Sequence, residues 1–358
     1  MNFKKSISNR IARVLNYFTK PTKQVGLDNN PCGLTEKNDY EDEFYGSKQK
    51  SNNNIKAKKP KLSAMIITYN HVKYIAKAIE GILNQKTEYE VEIVIIEDCS
   101  TDGTQDIILE YQKKYPDIIK AYLNPVNIGT NDPPPQKVFF EGFKKLKGDY
   151  VSILEGDDYW SSPFKVQEQI SFLEAHKDFV ACSHNTVKIY DDKSKEPHRF
   201  LYWENIKKVH DIHDFVAMTS FFHISSLIYR NVLKDNPPTQ FSSKWSCEIF
   251  NTMAHMQHGK LFYINKDMSI YRQHKGGSYS NMSETKGRIF NINSLRRYNK
   301  WLKYQYLPGF CHTIYRLCED MIKKSDERNI PPLTFFQKIK YKIIGIMYKI
   351  VGILSQSE

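Results

Sequence analysis

The six cysteines of this chain (Cys32, Cys99, Cys182, Cys247, Cys311 and Cys318) include no CxxC pair. A chain of 358 residues needs no disulfide staples, so the pattern excludes a disulfide scaffold and a zinc ribbon and predicts a reduced compartment. No apolar run reaches the ~20 residues of a spanning helix, and the N-terminus shows no apolar core of a secretory leader. Neither GxxxxGK followed by Ser or Thr nor GxGxxG occurs, which leaves P-loop and dinucleotide-binding readings unsupported. Only 16 Gly and 15 Pro are present, so the chain is neither collagen-like nor of low complexity. Hydrophobic residues at 40% and charged residues at 26% predict a globular protein with a sizeable core.

Charge is abundant but uneven. Lys and Arg total 52 against 40 Asp and Glu, a formal net of +12, which predicts an anionic partner. Much of that excess lies near the N-terminus, where Lys4, Lys5, Arg10, Arg13, Lys20 and Lys23 occur with no acid before residue 26. It forms no stripe across the body, so nucleic acid is not the expected partner. Phe3, Ile7, Ile11, Val14, Leu15 and Phe18 share one helical face of this segment, and a polar linker follows to about residue 60. Near the other end, Ile339, Ile343, Ile346, Met347, Ile350 and Leu354 fall on one face, with Lys338, Lys342, Gly345, Lys349 and Gly352 opposite. A basic amphipathic helix of this kind either lies in an anionic membrane interface or docks on its own domain. Two such segments favour the membrane, and the chain is expected in the cytoplasm, peripheral on the inner face of the cell membrane.

Between these ends, apolar runs alternate with helical stripes. Leu62–Thr68, Val91–Glu97, Ile119–Leu123 and Tyr150–Leu154 read as strands. Val72, Ile75, Ile79, Ile82 and Leu83 form a helical stripe, Ile107–Tyr111 begins a second helix and Lys137–Leu146 makes a third. Strands separated by helices predict an α/β fold with a mostly parallel sheet and right-handed crossovers. Ligands in such sheets bind beyond the carboxyl ends of the strands. Thr68, Tyr69 and Asn70 stand after the first strand, Asp98 to Gly103 after the second, and Glu155, Gly156, Asp157 and Asp158 after the fourth. Three carboxylates within four residues repel one another unless a cation or hydrogen-bond donors offset them. Either a divalent metal carrying a phosphate-bearing substrate does so, or the cluster is a solvated turn capping the helix that begins near Pro163.

The blocks SAMIITYNHVKYIAKAIEGILNQ, VEIVIIEDCSTDGT and GDYVSILEGDDYWSSPFKVQEQISFLE, in this order and spacing, resemble family 2 glycosyltransferases of GT-A fold, specifically bacterial enzymes of surface-polysaccharide synthesis. The resemblance covers roughly 62–280. It implies a nucleotide-sugar donor (most often a UDP-sugar), Mn²⁺ or Mg²⁺, and inversion at the anomeric carbon. It also implies that Thr68 and Asn70 cradle the nucleotide, Tyr69 lines the base and Asp98 bonds the uracil or ribose. Glu155-Gly156-Asp157 stands where the family has Asp-x-Asp, with Asp157 on the metal, Glu155 on the ribose or metal, and Asp158 on the sugar. Arg272 would pair with the diphosphate and His274 would add a metal or diphosphate ligand.

An inverting transfer needs a base for the acceptor hydroxyl. Counting back from Gly259-Lys260 puts the family's acid on Glu248, while Trp245 invites a rival register with Lys244 in that place; lysine is the poorer base, and Glu248 is chosen. The acceptor is expected to be a glycan or lipid-linked glycan, with aromatic residues such as Tyr202, Trp203, Phe221 and Phe222 available for sugar rings. His210 with His213, and His255 with His258, are read as solvated helix faces. Two rival readings remain: a sugar-phosphate nucleotidyltransferase, disfavoured because TYNHVKYI is no Arg-bearing glycine loop, and a catalytically inactive scaffold on the same fold. The expected organisation is a basic segment and linker (1–60), a GT-A domain (61–280, halved near 160), a helical extension (281–331) and a C-terminal amphipathic helix (332–358).

Overall fold

The computed structural model describes residues 61–129, 136–201, 206–217, 222–235, 247–277, 284–326 and 342–347. The N-terminal segment 1–60, most of the C-terminal amphipathic stretch, and Tyr202, Trp203 and Phe221 lie outside the described residues.

Residues 62–66 and 92–97 are buried at consecutive positions, as a strand covered on both faces requires. They belong to β1 (Lys61–Thr68) and β2 (Glu90–Glu97), which pair in parallel from Lys61 opposite Glu90 to Thr68 opposite Glu97. Between them runs α1 (Ile75–Leu83), which buries Ile75, Ala78, Ile79 and Ile82, the 3-and-4 spacing of one helical face. Next come α2 (Thr104–Lys114), β3 (Ile119–Leu123), α3 (Gln136–Phe143) and β4 (Tyr150–Glu155). Helix α2 begins before the apolar stripe that announces it in the sequence. Its first turn is polar and is held by Asp102, whose Oδ1 accepts from the Thr104 amide and hydroxyl. Helix α3 stops earlier than its stripe predicts, because Lys145 and Leu146 donate to carbonyls three residues back and tighten the chain into a turn.

The remaining elements are β5 (Tyr159–Trp160), α4 (Lys165–Ala175), β6 (Phe179–Tyr190), β7 (His198–Arg199), β8 (Val209–His210), α5 (Ile212–Ala217), β9 (Ile228–Arg230), α6 (Cys247–Met256), β10 (Lys260–Gln273), α7 (Glu284–Trp301) and α8 (Leu307–Asp326). The strands form one sheet of order β3-β2-β1-β4-β9-β6-β10-β5, with β7 on β6 and β8 on β10. The stretch β3 to β4 is parallel throughout. Strand β9 then runs antiparallel to both β4 and β6, while β6 and β10 pair in parallel. The predicted mostly parallel α/β sheet is present, with the antiparallel pairings confined to its second half.

One core serves all of it. Met65, Val94 and Val151 from the first strands cluster with Phe250 of α6 and with Ile292, Leu295, Phe310 and Ile314 of α7 and α8. The helical extension therefore completes the sheet's core. Residues 342–347 are helical, with Gly345 buried beside Cys318 and Tyr315 of α8, whereas Ile343, Ile346 and Met347 are exposed. His210 and His255 are buried, contrary to the solvated faces read from their spacing, and each bonds a backbone carbonyl, of Lys207 and Asn251 respectively.

Two points of the sheet margin are open to test. Gly148 precedes β4 so closely that a Cβ would lie 2.6 Å from the Lys61 carbonyl oxygen and 2.6 Å from the Ser63 amide nitrogen. Gly148→Ala is expected to cost about 1–3 kcal/mol by overpacking, read as a lower urea midpoint. Glu92 is 3% exposed. Burial works to raise its pKa, but Lys61 Nζ at 2.8 Å, the Ser63 hydroxyl at 2.5 Å and Lys120 Nζ at 3.3 Å outweigh it and hold the carboxylate below its ordinary range. A carboxylate depressed on folding stabilises the fold above its unfolded pKa, and that contribution is lost as pH falls through the folded value. Glu92→Gln should therefore lower stability by about 1.5–3 kcal/mol at neutral pH. The gap to wild type should close below pH ~4.3, as followed by urea unfolding across pH.

Candidate active site

The strand order reverses at β1, with β2 on one side and β4 on the other. At such a switch point the loops leaving neighbouring strands part and open a crevice. Thr68 to His71 leave β1 there, Asp98 to Asp102 leave β2, and Glu155 to Asp158 leave β4. The first two turns lock onto each other. Asn70 takes a left-handed backbone (φ 56°), a conformation asparagine tolerates. Its amide donates to the Ser100 hydroxyl at 2.8 Å and its side-chain oxygen accepts from the Thr101 amide at 2.9 Å. Cys99 is also left-handed (φ 63°), a strain of the kind that collects at functional sites.

The acidic turn is pinned from the far side by β10. Tyr159 and Trp160, just beyond it, pair antiparallel with Ile270 and Ser269. The end of β10 thereby comes to rest on the turn. The Arg272 amide donates to Asp158 Oδ1 at 2.8 Å, the Arg272 Nε donates to the Asp157 carbonyl at 3.1 Å, and His274 Nε2 lies 2.9 Å from Asp157 Oδ2. His71 approaches the same oxygen from β1, with Nε2 at 3.8 Å. Gly156 makes this convergence possible, since a Cβ there would lie 2.6 Å from the Thr68 hydroxyl and 2.8 Å from His71 Nδ1.

Burial works to raise the Asp157 pKa, but the His274 hydrogen bond and the two imidazoles outweigh it and keep the carboxylate below its usual range. Burial holds His71 below the ordinary histidine value, against the pull of Asp157. The carboxylate is therefore anionic and the His71 imidazole neutral at pH 7, the states in which both bind metal.

Asp157 Oδ1 is buried with no hydrogen-bond partner. Ligand atoms of His71, Asp157 and His274 all lie within 4.8 Å of one another, and so do those of Glu155, Asp158 and His223. A divalent cation fits the first group, because the orphaned oxygen is an acceptor without a donor. The expected set of Asp157, Glu155 and His274 is thus divided: Asp157 and His274 stand together, and Glu155 stands with Asp158. The cause is the turn itself, in which successive carboxylates leave the backbone in different directions.

Other expected site residues are already engaged. Asp98 is buried, and its carboxylate accepts from Asn124 Nδ2 and from the amides of Ile128 and Gly129, so it shapes the loop after β3. Thr68 is buried with its hydroxyl 3.2 Å from His71 Nδ1, while Tyr69 is 41% exposed. The Arg272 guanidinium pairs with Asp191 at 2.9 Å and lies over the Tyr74 ring. Glu248 lies in the first turn of α6; its side chain is outside the described set. A cavity of about 780 Å³ opens beside the cluster, lined among others by Asn70, Lys73, Tyr74, Asp102, Asp191 and His274.

His71, Tyr74, Asp191 and His223 escape the sequence reading. His71 directly follows the Thr-Tyr-Asn block and was within reach of it. Tyr74 lies three residues on in the same block, whereas Asp191 and His223 carry no local signal, since only the meeting of β6, β10 and the segment before β9 brings them to the turn.

With this geometry in place, comparison with known proteins is informative. The model of Glycosyl transferase family 2 matches residues 63–236. Uncharacterised proteins of Mycobacterium bovis and Mycobacterium tuberculosis are each 31% identical over 220 residues, 60% of this chain and 60% of the relative. The chain thus matches only about three fifths of these relatives' own length. An uncharacterised glycosyltransferase of Nostoc is 29% identical over 232 residues, 62% of this chain and 67% of the relative. Among solved structures, residues 1–349 of Staphylococcus aureus TarS, in complex with UDP-GlcNAc, superpose with a TM-score of 0.52 at 17% identity, covering 83% of this chain and 92% of that one. Residues 63–236 are thus similar to Glycosyl transferase family 2, and the architecture is the GT-A fold that TarS shares.

Proposed function

We propose that the chain is an inverting, metal-dependent glycosyltransferase that moves a sugar from a nucleotide-sugar, in particular a UDP-sugar, to a hydroxyl of a glycan or lipid-linked glycan in surface-polysaccharide assembly. The observation that carries this reading is the convergence of Asp157 and His274, with an orphaned buried carboxylate oxygen, at the mouth of the β1/β4 crevice. In this reading residues 61–160 hold the donor and 161–280 the acceptor. Asp157 and His274 hold Mn²⁺ or Mg²⁺, which supplies the positive charge that a departing diphosphate requires. Thr68, Tyr69 and Asn70 border the nucleotide. Asp98 acts on it through the 124–129 loop, Glu155, Gly156 and Asp158 line the donor sugar, and Arg272 faces the diphosphate. Glu248 takes the proton as the acceptor oxygen bonds to the anomeric carbon and the carbon–diphosphate bond breaks, so that UDP leaves and the configuration inverts. The UDP preference draws on TarS, a poly(ribitol-phosphate) β-N-acetylglucosaminyltransferase by name, solved with UDP-GlcNAc.

The acceptor reading brings the protein to the inner face of an anionic membrane. The exposed face of Ile343, Ile346 and Met347 supports this, with Lys342 exposed beside it. No helix among the described residues is long and apolar enough to cross a membrane.

UDP release from a panel of UDP-sugars, with and without Mn²⁺, tests the enzyme reading without a known acceptor. One sugar should give metal-dependent release, abolished in Asp157→Ala; Glu248→Gln should still bind UDP while transfer to an acceptor falls ~10²–10⁴-fold. Absence of release together with absence of metal-dependent UDP binding by calorimetry would leave the inactive scaffold as the answer. Flotation with phosphatidylglycerol vesicles tests the membrane reading. Wild type should float at low salt and the Ile343→Glu/Ile346→Glu variant should not; equal behaviour of the two would overturn it.

A further inference from the structure

We infer that His71 is a third protein ligand of the cation, so that the site is built from two imidazoles and one carboxylate and selects Mn²⁺ and other transition cations over Mg²⁺ and Ca²⁺. This rests on the proposed metal-dependent transfer and adds to it a ligand from the β1 turn and a class of metal.

Three independent features set His71 up for that role. The first is position. His71 Nε2 and His274 Nε2 face one oxygen, Asp157 Oδ2, at 3.8 and 2.9 Å, from rings 6.1 Å apart and nearly perpendicular at 81°. They reach it from segments far apart in the chain, one just after β1 and the other just after β10. The second is orientation. The far nitrogen of the His71 ring, Nδ1, lies 3.2 Å from the Thr68 hydroxyl. A contact of this kind on the outer nitrogen fixes ring and tautomer in metal-ligating histidines and leaves the other nitrogen's lone pair for the ion. The backbone is held as well: the His71 amide donates to the Thr104 hydroxyl at 2.9 Å, and the His71 carbonyl accepts from Tyr74 and Ile75 at the start of α1. The third is space. Gly156 leaves open the place where any side chain would strike Thr68 and His71, and Asp157 Oδ1 is buried without a donor.

Without an ion, Oδ2 has only the His274 contact, His71 Nε2 stands too far at 3.8 Å to hydrogen-bond it, and Oδ1 has no partner. A cation among the three side chains uses all of them.

The donor set decides the metal. Mg²⁺ and Ca²⁺ favour oxygen ligands, and Mg²⁺ keeps most of its waters. Imidazole nitrogen suits Zn²⁺, Fe²⁺ and Ni²⁺ best, and Mn²⁺, the weakest binder of that transition series, still takes nitrogen more readily than Mg²⁺ or Ca²⁺, whose ligands are oxygens. Two nitrogens against one carboxylate oxygen therefore bias the site toward Mn²⁺, Co²⁺ or Zn²⁺.

The test is Mn²⁺ binding to the full chain, with and without UDP, followed by the free-ion electron paramagnetic resonance signal and by ¹⁴N couplings in pulsed spectra. Wild type should show couplings from two imidazoles and hold Mn²⁺ at least ~10-fold more tightly than Mg²⁺ in competition. His71→Ala should lose one nitrogen coupling, weaken Mn²⁺ by ~10–100-fold and reduce the preference over Mg²⁺. Should that variant fold poorly by circular dichroism, the nitrogen count in wild type still decides. A single imidazole in wild type, or a folded His71→Ala with unchanged Mn²⁺ affinity, would overturn the role of His71 while leaving metal dependence intact. Failure of wild type to bind Mn²⁺ even with UDP would remove the metal-dependent reading, and this inference with it.

Discussion

The parallel pairing of β1 with β4 is the constraint on which the site depends. Ile67 stands opposite Glu155, and the Gly156 amide continues the ladder by donating to the Ile67 carbonyl at 2.8 Å. That register sets the turn after β1 against the turn after β4 with no residue between them. A slip of one residue would turn every side chain of the strand to the opposite face of the sheet and part His71 from Asp157.

On that scaffold a buried carboxylate is kept charged at low cost. Isolated burial would push a carboxyl group toward its neutral form. Around Asp157 the nearby imidazoles reverse that tendency. On the other flank His223 is pushed by burial to about 4 and stays neutral beside Asp158. His71 and His223, both held below the ordinary histidine value by burial, thus stand as nitrogen donors beside the Asp157 and Asp158 side chains. The bulk net charge of +12 says nothing about the site, where Asp157 and Asp158 meet imidazoles and Arg272.

The second half of the sheet delivers the other wall. Strand β10 runs for 14 residues, shifts register against β6 at several points and is clamped by β5 directly after the acidic turn. The clamp couples the Asp157 carboxylate to the Tyr-Arg-Gln-His segment. Helices α7 and α8 close the core behind it through Ile292, Leu295, Phe310 and Ile314.

Much of this was legible from local pattern. Consecutive apolar residues marked β1, β2 and β4 because burial on both faces leaves no room for polar alternation, while β3 alternates, with Lys120 and Tyr122 exposed. The carboxylates of residues 155–158 stood out because like charges at that spacing demand a counter-charge. What the pattern withheld was partnership. Asp98 reads as a free acid at a strand end, yet its oxygens are consumed by amides 30 and 31 residues downstream. Arg272 reads as a diphosphate ligand, yet it pairs with Asp191, 81 residues upstream. Glu155 and Asp157 read as one pair, yet the turn sends them to different histidines. Residue type and period act over a few positions, so they determine strands, helices and the kind of chemistry present. Which charged group meets which is set by long-range closure of the sheet, and that is a property of the folded chain alone.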